Sequence, residues 1–241
     1  MSAQARLRRG LFELLYKNRL LYWFASTIPF AGQWRVWQRL ALPRLRGHEV
    51  LEVGCGIGDL LVDMTRAGHH CQGIDRSPQM VAATRTRLAR SGLDDQVDVY
   101  EGSVQALPFG DASFDSVVST FPTEYIADPA ALREIARVLR PGGRLIVIIG
   151  ANLLPVGPLR FLLTLLHTLV YGGRPYAAGR RADGKPGEAA SDSAAAHRPA
   201  SSMTSAGPRI PLESAGLRRI EERVVDHAWE AYIIIGEKAK K

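Results

Sequence analysis

The sequence predicts an α/β fold, a mostly parallel sheet with helices on both faces, and three observations carry that expectation. The run Leu51-Glu52-Val53-Gly54-Cys55-Gly56-Ile57-Gly58-Asp59-Leu60 reads as a buried strand, a three-glycine turn and a helix start. Gly73-Ile74-Asp75 reads as a second strand that ends in a carboxylate. Strand-like and helix-like stretches then alternate to about residue 150, as βα units of a parallel sheet do. Glycines in such a turn let backbone N–H groups approach a ligand, because no Cβ stands in the way. The helix beginning near Asp59 adds its positive N-terminal end. Asp75 is placed to accept hydrogen bonds from two ribose hydroxyls, so the motif describes a nucleoside pocket at the carboxyl edge of the sheet.

Ahead of the core, residues 1–47 form a basic, aromatic-rich segment. Over 5–24, Leu7, Leu11, Leu14, Leu15 and Leu21 recur near the helical period, with Phe12, Tyr22 and Trp23 nearby. Arg6, Arg8, Arg9, Lys17 and Arg19 fill other positions. A second helical segment runs from Trp34 to Leu45 and includes Trp37, Leu40 and Leu42 before Pro43. Two readings stand for this region: a lid packed on the core, or a basic amphipathic element at a membrane interface.

The core, residues 48–150, is assigned strands at 49–53, 70–75, 97–101, 114–119 and 144–149, with helices at 58–67, 78–91 and 129–139. Arg140-Pro141-Gly142-Gly143 reads as a turn. From residue 151 to 171 the chain is strongly apolar, with Leu159 to Tyr171 almost continuously so. That stretch is too short to span a bilayer, which needs about 20 apolar residues, and reads as a cap on an acceptor pocket, a core helix or an interfacial helix. Residues 172–208 are rich in Gly, Ala, Ser, Pro and Arg, a composition that buries too little apolar surface to order. The last part, 209–241, supplies strands six (Arg218 to Asp226) and seven (Trp229 to Glu237), completing a seven-stranded sheet.

A chain of 241 residues, 46% hydrophobic, can bury one full α/β core. Two cysteines exclude a disulfide framework, and no C-x-x-C or His-Cys cluster points to a metal. Residues 1–50 hold nine Lys and Arg against two Asp and Glu, so the whole formal excess of +7 lies ahead of the core. This asymmetry points to an anionic surface or partner, such as a membrane, for residues 1–46. No RNA-binding module accompanies the charge, so nucleic acid is not the expected partner. Glu13, Lys17 and Arg19 interrupt any secretory h-region, and a cytoplasmic location is expected, with peripheral membrane contact as its extension.

The glycine spacing narrows the ligand. Positions 54, 56 and 58 give G-x-G-x-G, whereas the dinucleotide fingerprint needs G-x-G-x-x-G, and here its third glycine is Asp59. A carboxylate there repels a pyrophosphate but suits a sulfonium cation with a zwitterionic amino-acid tail. With Glu52 leading E-x-G-x-G-x-G, the chain resembles the class I S-adenosylmethionine-dependent methyltransferases. Gly73-Ile74-Asp75-Arg76-Ser77-Pro78-Gln79-Met80, Ala106-Leu107-Pro108-Phe109 with Ser113-Phe114-Asp115-Ser116-Val117-Val118, and the run from Leu132 to Leu145 are similar, in order, to the ubiquinone and menaquinone methyltransferase (methyltransferase type 11) subgroup. The resemblance covers residues 48 to 150. It implies a Rossmann-like class I methyltransferase sandwich, sheet order 3-2-1-4-5-7-6 with strand seven antiparallel.

By the same resemblance, Gly54, Gly56 and Gly58 line the amino-acid and ribose part of S-adenosyl-L-methionine, with Glu52, Cys55 and Thr120 beside them. Cys55 reads as a small packing residue of the turn and not as a nucleophile. Asp75 binds the ribose hydroxyls, Arg76 and Met80 flank the adenine, and Val104 offers its backbone N–H to the ring. Ser103 stands where the family often has an Asp for the adenine amino group. After strand four, Ser119-Thr120-Phe121-Pro122-Thr123-Glu124-Tyr125 lacks the Asn/Asp-Pro-Pro-Tyr tip that grips an exocyclic amine, which argues against base methylation. Glu124 is the candidate base or acceptor-orienting group, with Tyr125 and His167 behind it. His69 and His70 precede strand two, away from the pocket. The implied reaction is methyl transfer to a small hydrophobic or lipid-like acceptor, the alternatives being a nucleic-acid or protein methyltransferase or a non-catalytic S-adenosylmethionine-binding protein.

Overall fold

The computed structural model describes residues 33–153, 210–226 and 229–240. The helix expected over 5–24, the apolar stretch 159–171 and the segment 172–208 lie outside the described residues. In chain order the elements are α1 (Trp34–Gln38) with a 3₁₀ turn (Arg39–Arg44), β1 (Glu49–Val53), α2 (Asp59–Arg66), β2 (His70–Asp75), α3 (Pro78–Arg90), β3 (Asp98–Glu101) and β4 (Phe114–Thr120). A 3₁₀ turn (Glu124–Ala127), α4 (Pro129–Val138), β5 (Leu139–Leu153), a 3₁₀ turn (Leu212–Ala215), β6 (Leu217–Val225) and β7 (Trp229–Lys238) follow.

The seven strands form one sheet in the order β3-β2-β1-β4-β5-β7-β6. β1 pairs in parallel with β2 and β4, β2 with β3, and β4 with β5, while β7 runs antiparallel to both β5 and β6. Side chains alternate across β1. Leu51 and Val53 face a cluster with Phe114, Leu132, Ile135 and Leu145, and Val50 faces Leu60, Leu61, Met64 and Leu88 on the other side. Both faces are therefore covered, as a parallel sheet requires.

Local chemistry starts the helices where the sequence predicts. Ser77 accepts from Met80 N–H at 3.4 Å ahead of Pro78, and Asp128 accepts from Ala130 N–H at 2.8 Å ahead of Pro129. In both, an N-cap oxygen meets an orphan donor and proline occupies the first helical position, where no N–H is needed.

One expectation is corrected. β5 is much longer than 144–149, because the Arg-Pro-Gly-Gly run forms no turn but an irregular extension of the strand. Leu139 pairs with Phe114, the register slips before Ser116 pairs with Arg144, and Gly142 N–H donates to Ala239 O at 3.2 Å. A Cβ on Gly143 would lie 2.9 Å from the carbonyl oxygens of both Arg140 and Asp115, so the bulge demands glycine. Composition alone marks a break in such a run; pairing on both sides converts it to strand.

The start of the described chain is docked on the core. Trp37 is fully buried, its ring 6.4 Å from Trp229 and 6.2 Å from Phe121, and Trp34 stacks on Phe121 at 4.0 Å. Arg35 and Arg39 both grip Asp63 of α2, with N–O distances of 2.6–3.0 Å. Arg44 pairs with Glu222 at 2.6 Å and Arg46 with Glu237 at 2.9 Å. Four of the nine basic residues counted in 1–50 thus bind carboxylates of the core itself. The charge asymmetry read from the sequence is partly an intramolecular docking device. No helix among the described residues is long and apolar enough to cross a membrane.

Burial of the Asp63 carboxyl favours its neutral form, but the hydrogen bonds from Arg35 and Arg39 outweigh that and hold its pKa at about 2. A depressed carboxylate stabilises the fold fully above its unfolded value, 3.8, and loses that contribution as pH falls through about 2. Asp63→Asn is therefore expected to destabilise the protein by about 1 kcal/mol at neutral pH, since both guanidiniums are partly solvent-screened. Denaturant melts at pH 7 and near pH 2 check this: the gap between variant and wild type should close in acid.

Candidate active site

The three turn glycines all adopt left-handed backbone, with φ of +72° at Gly54, +57° at Gly56 and +80° at Gly58. Space forbids side chains at two of them as well. A Cβ on Gly54 would lie 2.7 Å from the Tyr125 hydroxyl, and one on Gly58 would lie 2.7 Å from the Thr84 methyl. Thr84, on α3, also donates to Gly56 O at 2.7 Å and locks the turn from behind. The sequence reading missed Thr84, which no motif marks.

The turn amides are used differently from the expectation. Gly54 and Cys55 N–H both donate to Ile74 O, at 2.8 and 3.3 Å, and Gly58 N–H donates to Cys55 O at 3.0 Å. Gly56 N–H donates to Asp75 Oδ2 at 3.0 Å. The three glycine amides read from sequence as open to a ligand, and that of Cys55, are thus satisfied within the protein, and carboxylates become the notable polar groups here.

Asp75 ends β2 half-buried, its second oxygen accepting from Ser77 N–H at 2.9 Å. Burial raises its pKa, opposed by the N–H groups of Ser77 and Gly56 and by the Arg76 charge. Glu52, on β1, is buried at 1% exposure, and its Oε2 has no hydrogen-bond partner among the described residues. Burial, then the negative charges of Asp75 and Asp59, push its pKa well above the usual carboxylate value, against a hydrogen bond from Leu61 N–H in the first turn of α2. Asp59 itself is paired with Arg87 at 2.8 Å. The negative charge at the end of β1 and β2 thus rests on Asp75, and it favours a cation over a phosphate.

The other predicted residues fall around this edge. Cys55 is buried with Sγ 3.9 Å from Thr84 Oγ1, its thiol pKa raised by burial, which suits packing and not attack. Met80 and Val104 are buried, whereas Arg76 and Ser103 are exposed. Ser103 contacts Gln105 Oε1, and Gly102 N–H donates to Asp75 O at 3.0 Å, tying the 102–104 stretch to β2. Tyr125 reaches back to the sheet: its hydroxyl lies 2.6 Å from Ser119 Oγ and 3.2 Å from Val53 O. Glu124, its neighbour on the 3₁₀ turn, is exposed. Thr120 Oγ1 accepts from Gln38 Nε2 at 3.2 Å. His167 lies outside the described residues, and His70 Nδ1 meets Glu49 Oε1 at 2.9 Å at the far end of β2.

The raised Glu52 carboxyl has a stability consequence of known sign. An acid whose folded pKa exceeds its unfolded value, near 4.5, loses stabilisation as pH rises from that value toward the folded one. Glu52→Gln is expected to be more stable than wild type at about pH 8–9 and equal to it near pH 4. Parallel Tm-versus-pH curves for the two proteins would contradict the buried-acid assignment.

Residues 51–147 match the family described as a methyltransferase domain. A demethylmenaquinone methyltransferase of Symbiobacterium thermophilum is 37% identical over 145 residues, covering 57% of this chain and 57% of its own. The chain thus spans little more than half of that relative. Among solved structures, the [4+2]-cyclase SpnF superposes with a TM-score of 0.56 at 19% identity, covering 86% of this chain and 82% of that one. A geranyl diphosphate methyltransferase in complex with S-adenosylmethionine gives 0.54 at 12% identity, covering 85% of each. These likenesses show the fold. With β7 antiparallel between β5 and β6, the sheet has the class I methyltransferase fold, and residues 51–147 are similar to the methyltransferase-domain family.

Proposed function

We propose that the protein transfers the methyl group of S-adenosylmethionine to a small, hydrophobic, quinone-like acceptor. The observation that carries the donor half is the half-buried Asp75 carboxylate at the glycine turn, with the buried Glu52 carboxyl beside it. A sulfonium and an ammonium complement that charge, whereas a pyrophosphate opposes it. The acceptor half is supported by the similarity to a demethylmenaquinone methyltransferase and by the aromatic side chains of Trp34 and Phe121 at the carboxyl end of β4.

When bound, the sulfonium supplies an activated methyl with a neutral thioether as leaving group. The residues mainly hold the partners in line and keep water out. Asp75 keeps lone pairs beyond its two N–H contacts for the ribose hydroxyls. The Tyr125 and Ser119 hydroxyls, linked at 2.6 Å and seated on Val53 O, form a polar point between the ends of β1 and β4. Glu124, exposed beside them, is the group in this reading that takes a proton from an acceptor that must lose one. Arg6, Arg8, Arg9, Lys17 and Arg19 lie outside the described residues and carry the finer reading of a peripheral contact with anionic membrane, where such an acceptor resides.

Asp75→Ala is expected to weaken S-adenosylmethionine binding by about 2–3 kcal/mol, because two ribose hydroxyls lose their acceptor. Calorimetric titration measures this, and an unchanged Kd would remove Asp75 from the site. Incubating the full chain with donor and reduced quinones should release S-adenosylhomocysteine only when an acceptor is present. Sedimentation with phosphatidylglycerol vesicles tests the membrane contact: changing the five basic residues of 6–19 to Glu should abolish pelleting, and equal, negligible pelleting by both forms refutes it.

A further inference from the structure

The docked helix α1 carries a polar atom that the described fold leaves unsatisfied. Gln38 donates through Nε2 to Thr120 Oγ1, but its Oε1 is shut off from solvent and has no hydrogen-bond donor. Buried amide oxygens in settled folds nearly always find a donor, so an exception calls for a partner that the described residues do not supply. The location is specific. Thr120 ends β4, and the crevice between β1 and β4 is where the strand order reverses and ligands of open α/β sheets bind.

Two further features mark the same place. Phe121 holds φ at +50°, a sparsely populated conformation for an aromatic residue, and strain of this kind collects at ligand clamps. Its ring is stacked on Trp34 at 4.0 Å, which sets an aromatic pair beside the Gln38 amide. A five-residue helix is too short to hold such an arrangement by itself. Arg35 and Arg39 supply the anchor, straddling Gln38 in sequence and both gripping Asp63 on α2.

Resting on the reading of a hydrophobic ring acceptor and deepening it, we propose that Gln38 is a specificity-determining residue that accepts a hydrogen bond from a hydroxyl of the methyl acceptor, with Asp63 as the positioning residue that keeps it at Thr120. The terminal torsion of a glutamine is soft, so its carbonyl follows an incoming hydroxyl. An amide is neither acid nor base near neutrality. It orients the O–H and leaves proton transfer to another group.

The test compares a reduced quinone bearing a free ring hydroxyl with its methyl ether, using the full chain and saturating S-adenosylmethionine. Wild type should favour the free hydroxyl by about tenfold or more in kcat/KM, and Gln38→Leu should cut that preference to within about twofold, through acceptor KM and with donor Kd unchanged. Asp63→Asn should move acceptor KM the same way, and Asp63→Glu should restore it. Should Gln38→Leu fail to fold, Gln38→Asn, which keeps polarity but shortens the reach, serves in its place with the same expected loss. Retained preference in the Gln38 variant overturns the proposal, as does an Asp63→Asn acceptor KM equal to wild type. If wild type binds donor yet turns over no ring of either kind, the acceptor reading itself fails and takes this proposal with it.

Discussion

The Asp75 carboxylate is the constraint on which the functional edge of the sheet depends. Its two oxygens accept N–H groups from opposite sides of the chain, Gly56 in the turn after β1 and Ser77 at the start of α3. One side chain thereby joins two βα units and sets the turn conformation. The remaining turn amides close on Ile74 O and Cys55 O, so the loop is braced before any ligand arrives. Preorganisation of this kind lowers the cost of ordering the site on binding.

Bracing leaves an electrostatic imbalance in place. Glu52 is buried with no donor to Oε2 among the described residues, and Asp75 and Asp59 raise its pKa further. Burying an acid this way works against stability, and among the described residues no cation pairs with it. The same edge is poorly suited to a dinucleotide, whose pyrophosphate would meet carboxylates where the corresponding fingerprint offers glycine and open amides.

The docked N-terminal helix is held by both charge and aromatic packing. Asp63 sits on the helix that follows the glycine turn, and its two arginine partners come from the segment carrying the chain's charge excess. The aromatic contacts among Trp34, Trp37, Phe121 and Trp229 join that segment to the ends of β4 and β7. The glycine turn and the docked N-terminal segment are thus coupled through α2: its N-terminus begins at the turn, and its Asp63 holds Arg35 and Arg39.

Sequence alone determined the elements whose signals are local. Strand and helix positions between 49 and 138, the glycine turn and the acid at the end of β2 were all legible, because periodicity and turn chemistry act over a few residues. What only tertiary structure decided involves partners distant in the chain. Arg-Pro-Gly-Gly became strand because β4 and residue 239 pair with it, and the basic residues 35, 39, 44 and 46 turned inward because Asp63, Glu222 and Glu237 wait on other elements. Gln38, Thr84 and Ser119 took their places at the site through hydrogen bonds spanning up to 82 residues of sequence. No local pattern encodes such contacts, since they exist only once the sheet has brought the strand ends together.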